Sequence, residues 1–174
     1  MRLEVHFKGK LILESHKIYP ALQWYTDKTG TINKVKLHLD APKEEEYYGF
    51  GERYNALGQR GNVLDCFVYN QYRDQGTRTY IPMPFYHTNR DYSVFVDTAR
   101  YTSFDLGNQL ADKHTITVEI NGCDTDICLL MGDIRSAVAN YMKKLGSLRW
   151  FQFGRLDRGC LVITGTANLS FEMK

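Results

Sequence analysis

The chain has 174 residues, of which 43% are hydrophobic and 24% charged, and its net charge is +2. Such a length and composition describe one folded domain with a substantial core and exclude a disordered chain. Charge this small, spread along the whole length, leaves no electrostatic footprint for nucleic acid.

The N-terminus, Met1-Arg2-Leu3-Glu4-Val5-His6, carries no apolar signal core, and no run reaches membrane-spanning length. A cytoplasmic address without a membrane partner is therefore expected. Cys66, Cys123, Cys128 and Cys160 show no C-x-x-C spacing and no histidine in a zinc pattern, so they read as buried, reduced thiols with no metal or cofactor to hold.

Leu3, Val5 and Phe7 alternate with Glu4 and His6 as in a half-buried strand, and Leu11-Ile12-Leu13 supplies a second. Trp24-Tyr25-Thr26 runs into Asp27-Lys28-Thr29-Gly30, a polar turn. Val35, Leu37 and Leu39 then alternate with Lys34, Lys36, His38 and Asp40, which places His38 on the polar face and predicts a solvent position for it. Lys43-Glu44-Glu45-Glu46 reads as a solvated connection.

The stretch from Tyr47 to Thr98 dominates the chain. In Tyr47-Tyr48-Gly49-Phe50-Gly51-Glu52-Arg53-Tyr54, two glycines bracket Phe50, which predicts a turn or a close approach of backbone. Cys66 to Tyr69 can form a strand, and Asn70–Thr79 is too rich in turn formers to continue it. Pro82 and Pro84 forbid a central strand over Ile81–Pro84, whose extended backbone suggests an edge or a crossing between sheets. Phe85–His87 and Tyr92–Val96 read as strands joined by Asn89-Arg90-Asp91.

Ile116, Val118 and Ile120 alternate, and Asn121-Gly122 gives a turn before Ile127–Met131. Ile134, Ala137, Val138, Tyr141, Met142 and Leu145 recur at helical spacing, with Asp133 as N-cap and Gly146 as stop. The sum is a mostly β chain, an antiparallel β-sandwich with one C-terminal amphipathic helix. It divides into a sandwich domain over 1–146 and a tail, or the start of a linker, over 147–174. The tail shows no strong period and is expected to pack less well than the sandwich.

No complete catalytic constellation is present: there is no H-E-x-x-H, P-loop, G-x-S-x-G or dinucleotide fingerprint. Glycoside cleavage needs two facing carboxyl groups. Glu52, Asp65, Asp74 and Asp97 are candidates, but nothing in their spacing brings two together, and each reads as a turn, cap or ion-pair residue.

Five ordered segments carry a resemblance: Tyr48-Gly49-Phe50-Gly51-Glu52-Arg53, Arg60-Gly61, Asn70 with Arg73-Asp74, Ile81-Pro82-Met83-Pro84-Phe85-Tyr86, and Tyr92-Ser93-Val94-Phe95-Val96. Together they resemble glycoside hydrolase family 31, which includes α-glucosidases and α-xylosidases. The similar region is the family's N-terminal galactose-mutarotase-like β-sandwich, which precedes a (β/α)8 catalytic barrel. Beyond Gly146 the chain departs from the family, reading Ser147-Leu148-Arg149-Trp150 where an Arg-Pro entry to the barrel is usual.

The resemblance implies no catalytic residue and no cofactor in this chain, because the family's two catalytic aspartates lie on the barrel. An isolated chain is then expected to be inactive. The implied partners are the missing barrel and, through it, an α-linked glucoside or xyloside. Left without the barrel, the domain is expected to self-associate through uncovered apolar surface.

By position, Asp74, with Arg73 beside it, matches a loop that contributes a sugar-binding aspartate. Gly49, Gly51, Glu52 and Arg53 are then structural, with Glu52 and Arg53 expected to form an ion pair. A free-standing carbohydrate-binding module and a structural or interaction domain without ligand stay open as alternatives.

Overall fold

In the computed structural model, which describes residues 2–71 and 73–146, alternation along the chain becomes a set of antiparallel strands. Strands β1 (Glu4–Phe7) and β2 (Lys10–Glu14) pair as a hairpin and send Val5, Ile12 and Leu13 into the core. β3 (Leu22–Thr26) and β4 (Ile32–Asp40) are joined by the expected polar turn, in which the Asp27 carboxylate accepts from the backbone N–H of Thr29 and Thr31. The chain then forms β5 (Tyr47–Gly51), β6 (Val63–Asp65), β7 (Pro82–Thr88), β8 (Tyr92–Asp97), β9 (Thr102–Leu106), β10 (Lys113–Glu119) and β11 (Asp126–Met131).

One sheet has the order β3-β4-β10-β9-β6 and the other β11-β8-β7-β5. Their inner faces share one core: Leu39, Leu64, Phe104, Leu106, Ile116 and Val118 meet Tyr47, Phe50, Tyr86, Tyr92, Val94 and Val96. A two-layer antiparallel β-sandwich is the result. The Asn121-Gly122 turn forms, both residues having positive φ. It closes no hairpin, however; the chain leaves β10 and crosses to the other sheet, where β11 pairs with β8.

Residues of β8 from Tyr92 to Val96 are all buried, without alternation, because both faces of this strand are covered. The outer cover is helix α1 (Ile134–Leu145), capped by Asp133, whose carboxylate accepts from Ser136 N–H, and ended at Gly146. Tyr141 lies stacked on Phe85 at 4.3 Å and edge-on to Phe95 at 4.9 Å. Ala137 is the helix residue that becomes buried, whereas Ile134, Val138, Met142 and Leu145 form an exposed apolar stripe. Tyr141→Ala is expected to cost about 2 kcal/mol, less than a fully buried aromatic because the ring is half-exposed. Urea titration should show the helical circular dichroism lost ahead of the sandwich's aromatic signal.

Several expectations are corrected. Strand β6 ends at Asp65, so Cys66–Tyr69 is not a strand; beyond Cys66 the backbone makes only a single bridge, Val68 to Thr79. Pro82 and Pro84 lie within β7, but at an end paired only with β5, so the edge reading holds there although β7 is flanked on both sides further along. They are tolerated because the pairing with β8 begins only at Phe85, so neither lost N–H faces that neighbour.

His38 is not in solvent. The segment from His16 to Ala21 straps the outer face of the sheet, and the imidazole is 4% exposed beneath it. There His38 contacts Thr115 Oγ1 through Nδ1 and Gln23 Oε1 through Nε2, at 3.1 and 3.2 Å. Glu45 is likewise not solvated but fully buried, its carboxylate accepting from the hydroxyls of Tyr47 and Tyr92.

Cys66, Cys123 and Cys128 are free thiols, but none is fully buried: Cys66 and Cys128 are half-buried, and Cys123 is exposed, since it follows the surface turn at Asn121-Gly122; Cys160 lies outside the described residues. Among the described residues no helix is long and apolar enough to cross a membrane. The tail over 147–174 lies outside the described residues.

Candidate functional site

The Gly49-Phe50-Gly51 segment builds the floor of the site. All three residues have positive φ (+109°, +66° and +87°), so β5 makes a bulge against β7. Regular alternation from the buried Tyr47 would point residue 50 away from the core; the bulge turns it back in. Phe50 ends fully buried, stacked on Tyr86 at 4.9 Å and edge-on to Phe104 at 5.0 Å. Glycine is required on its C-terminal side, where a Cβ on Gly51 would sit 2.1 Å from the carbonyl oxygen of Ile81.

Arg53 follows directly. Its guanidinium does not pair with Glu52, which is exposed; it donates to three backbone carbonyls instead. Nε reaches Phe50 O at 3.0 Å, Nη2 reaches Asp65 O at 2.7 Å, and Nη1 binds Thr77 O. Burial lowers its pKa from the ordinary value, with Cys66, Asp65 and Tyr69 acting the other way. An arginine stays protonated regardless. The expected ion pair is replaced because part-buried carbonyls need donors more than an exposed carboxylate needs a partner.

Above Arg53 stands the loop from Asn70 to Arg78. Gln71 Nε2 donates to the carbonyls of Arg73 and Asp74, Gln75 Nε2 to that of Gln71, and Arg78 Nη1 to Gln71 Oε1. The Arg78 guanidinium also covers the ring of Tyr69. At the tip, Arg73 and Asp74 are exposed and line an open cleft of about 430 Å3 together with Tyr54, Asn55, Gln75 and Gly76. Asp74 has φ +50°, a left-handed conformation uncommon for a residue with a side chain.

The structure thus puts both sequence-predicted loop residues in one cleft and adds Tyr54, Asn55 and Gln75, which sequence reasoning missed. Tyr54 and Asn55 directly follow Gly51-Glu52-Arg53, and that adjacency was their one available signal. The other acids have structural engagements: Asp65 accepts from the hydroxyls of Tyr69 and Tyr101, and Asp97 pairs with Lys144 at 3.4 Å. An exposed carboxylate and guanidinium beside a tyrosine and two amides can accept and donate several hydroxyl hydrogen bonds at once.

A galactose-mutarotase-like sandwich bearing a braced polar loop is the class these features define. The model of the glycosyl hydrolase 31 N-terminal galactose mutarotase-like domain matches residues 2–105. The chain belongs to glycoside hydrolase family 31, as part of that N-terminal, non-catalytic domain. It is 35% identical over 129 residues to an isomaltosyltransferase of Sporosarcina globispora, covering 72% of this chain and 12% of that protein. It is 33% identical to a 1,3-α-isomaltosidase of Kribbella flavida, over 72% of this chain and 18% of the relative. The cycloalternan-forming enzyme of Listeria monocytogenes, solved with a pentasaccharide substrate, superposes with a TM-score of 0.75 at 29% identity, over 82% of this chain and 14% of the enzyme. The chain therefore spans less than a fifth of these proteins.

Proposed function

We propose that this domain serves an α-glucan-processing enzyme in which the barrel does the chemistry and the loop from Asn70 to Arg78 lends Asp74 and Arg73 to the bound sugar. The observation that carries the reading is the cleft: both side chains project from a loop whose shape is fixed by its own glutamines and Arg78. Isomaltosyl-containing glucans are the favoured substrate class, because isomaltosyl units appear in the names of the isomaltosyltransferase and the isomaltosidase. The exposed stripe Ile134, Val138, Met142 and Leu145, and the separate exposed group Tyr80, Ile81 and Met83, are surfaces for the rest of such an enzyme, and their exposure also favours self-association.

The test is a hybrid in which this chain replaces the N-terminal domain of the Listeria enzyme. Asp74→Ala in the hybrid is expected to lower kcat/KM on an isomaltosyl substrate by about 10- to 100-fold, the worth of one or two charge-assisted hydrogen bonds. Asp74→Gly should lose as much activity while melting no lower than the parent, because glycine adopts φ +50° without strain. Unchanged kcat/KM in both variants would remove the loop from substrate recognition.

A further inference from the structure

We propose that Arg53 is the positioning residue of this loop: its forked guanidinium fixes where Asp74 and Arg73 stand over the cleft. The inference rests on the reading that the loop meets the sugar. The hydrogen bonds made by the side chains of Gln71, Gln75 and Arg78 all lie between residues 71 and 78, so they give the loop its shape without saying where that shape sits, and the Arg78 contact with Tyr69 ties only its neck. Place has to come from bonds that leave the loop.

Arg53 supplies the widest of these. Its three acceptors belong to β5 of one sheet, the end of β6 in the other sheet, and Thr77 on the loop itself. Thr79 adds a second tie, its hydroxyl donating to the carbonyl of Glu52, and Tyr69 a third, its N–H donating to Thr79 O. Of the three, only the guanidinium reaches past the loop's neck to Thr77, three residues from Asp74. A planar fork holds its acceptors in fixed relative directions, so a shift of the loop costs hydrogen-bond geometry at Arg53. Lysine at this position keeps the charge and loses the fork, which separates direction from electrostatics.

Arg53→Lys in the full chain is expected to accelerate amide exchange at residues 73–78 by about tenfold or more, with protection in β8 and β10 held within about twofold. Uniform loss of protection across the sandwich, or none at 73–78, would overturn the clamp. Arg53→Gln, neutral but still a donor, should behave like the lysine variant if direction matters and worse if charge alone does; a lysine variant indistinguishable from the parent gives the second answer and sinks the proposal.

In the hybrid enzyme, the variants Arg53→Lys and Asp74→Ala should each lower kcat/KM, and the double variant should lose clearly less than the sum of the two, because Arg53 acts through Asp74 and Arg73. Additive losses would mark Arg53 as merely stabilising. Should Asp74→Ala leave kcat/KM untouched, the sugar-binding reading falls, and amide exchange still decides the clamp by itself.

Discussion

Replacing Gly51 by alanine is expected to destabilise the domain by about 4 kcal/mol, at the upper end of single-residue effects. Two costs add. The left-handed backbone at φ +87° penalises any side chain by about 1–2 kcal/mol, and the new Cβ would meet Ile81 O at 2.1 Å and Met83 N at 2.7 Å. Both atoms are backbone, so no side chain can swing away. Relief requires the β5–β7 pairing to shift, which would pull Phe50 from between Tyr86 and Phe104. Urea denaturation reads the loss directly, and a midpoint equal to the parent's would show that the bulge is far softer than its contacts imply. Gly61, also at positive φ but with open space around its Cβ position, is the control and should cost much less.

Acid should weaken the domain from about pH 6.5 downward. His114 is fully buried between Tyr47 and Tyr86, and burial pushes its pKa down to about 3. His38 falls to about 4, through burial first and then through Lys113, Lys36 and His16. Both imidazoles remain neutral in the fold while they take up protons in the unfolded chain below about pH 6.5. The unfolded state then binds more protons, so stability is full above pH 6.5 and is lost as pH falls towards 4 and then 3.

Each histidine accounts for about 1.4 kcal/mol per pH unit inside its window. His87, lowered by burial as well, acts in the same direction. Glu45 and Asp40 oppose them: burial raises each pKa, so stability grows as pH falls through those raised values. Three imidazoles outweigh two carboxyls, and the net slope should be downward. Denaturation midpoints between pH 7 and 4.5 measure it, and His38→Gln should flatten the curve. Parallel curves for parent and variant would refute the assignment to His38.

Much of the fold was legible because it is written in local periods. β1, β4 and β10 alternate, and α1 announces itself with Asp133, Gly146 and a 3.6-residue rhythm. β5 was not, since a glycine–aromatic run has no period and its inward turn at Phe50 depends on three successive positive φ angles. His38 was misplaced because alternation tells which face a residue occupies and not what later covers it; here the cover is a strap anchored some twenty residues earlier.

The site divides the same way. Arg73 and Asp74 were found through the family resemblance. Arg53 was given the wrong partner, because its true acceptors are carbonyl oxygens, which every residue has and no sequence distinguishes.

The self-braced loop has a consequence for selectivity. A flap that closes over its ligand spends part of the binding energy on becoming ordered and can reshape itself around a near-match. Here Gln71, Gln75 and Arg78 meet that ordering cost during folding, before any ligand arrives. On the reading proposed above, such a surface would work as a template: a glycone whose hydroxyls fall in register would gain the full strength of each bond. One with an inverted hydroxyl would meet a carboxylate that cannot follow it, and discrimination would arise from misfit, with no movement required.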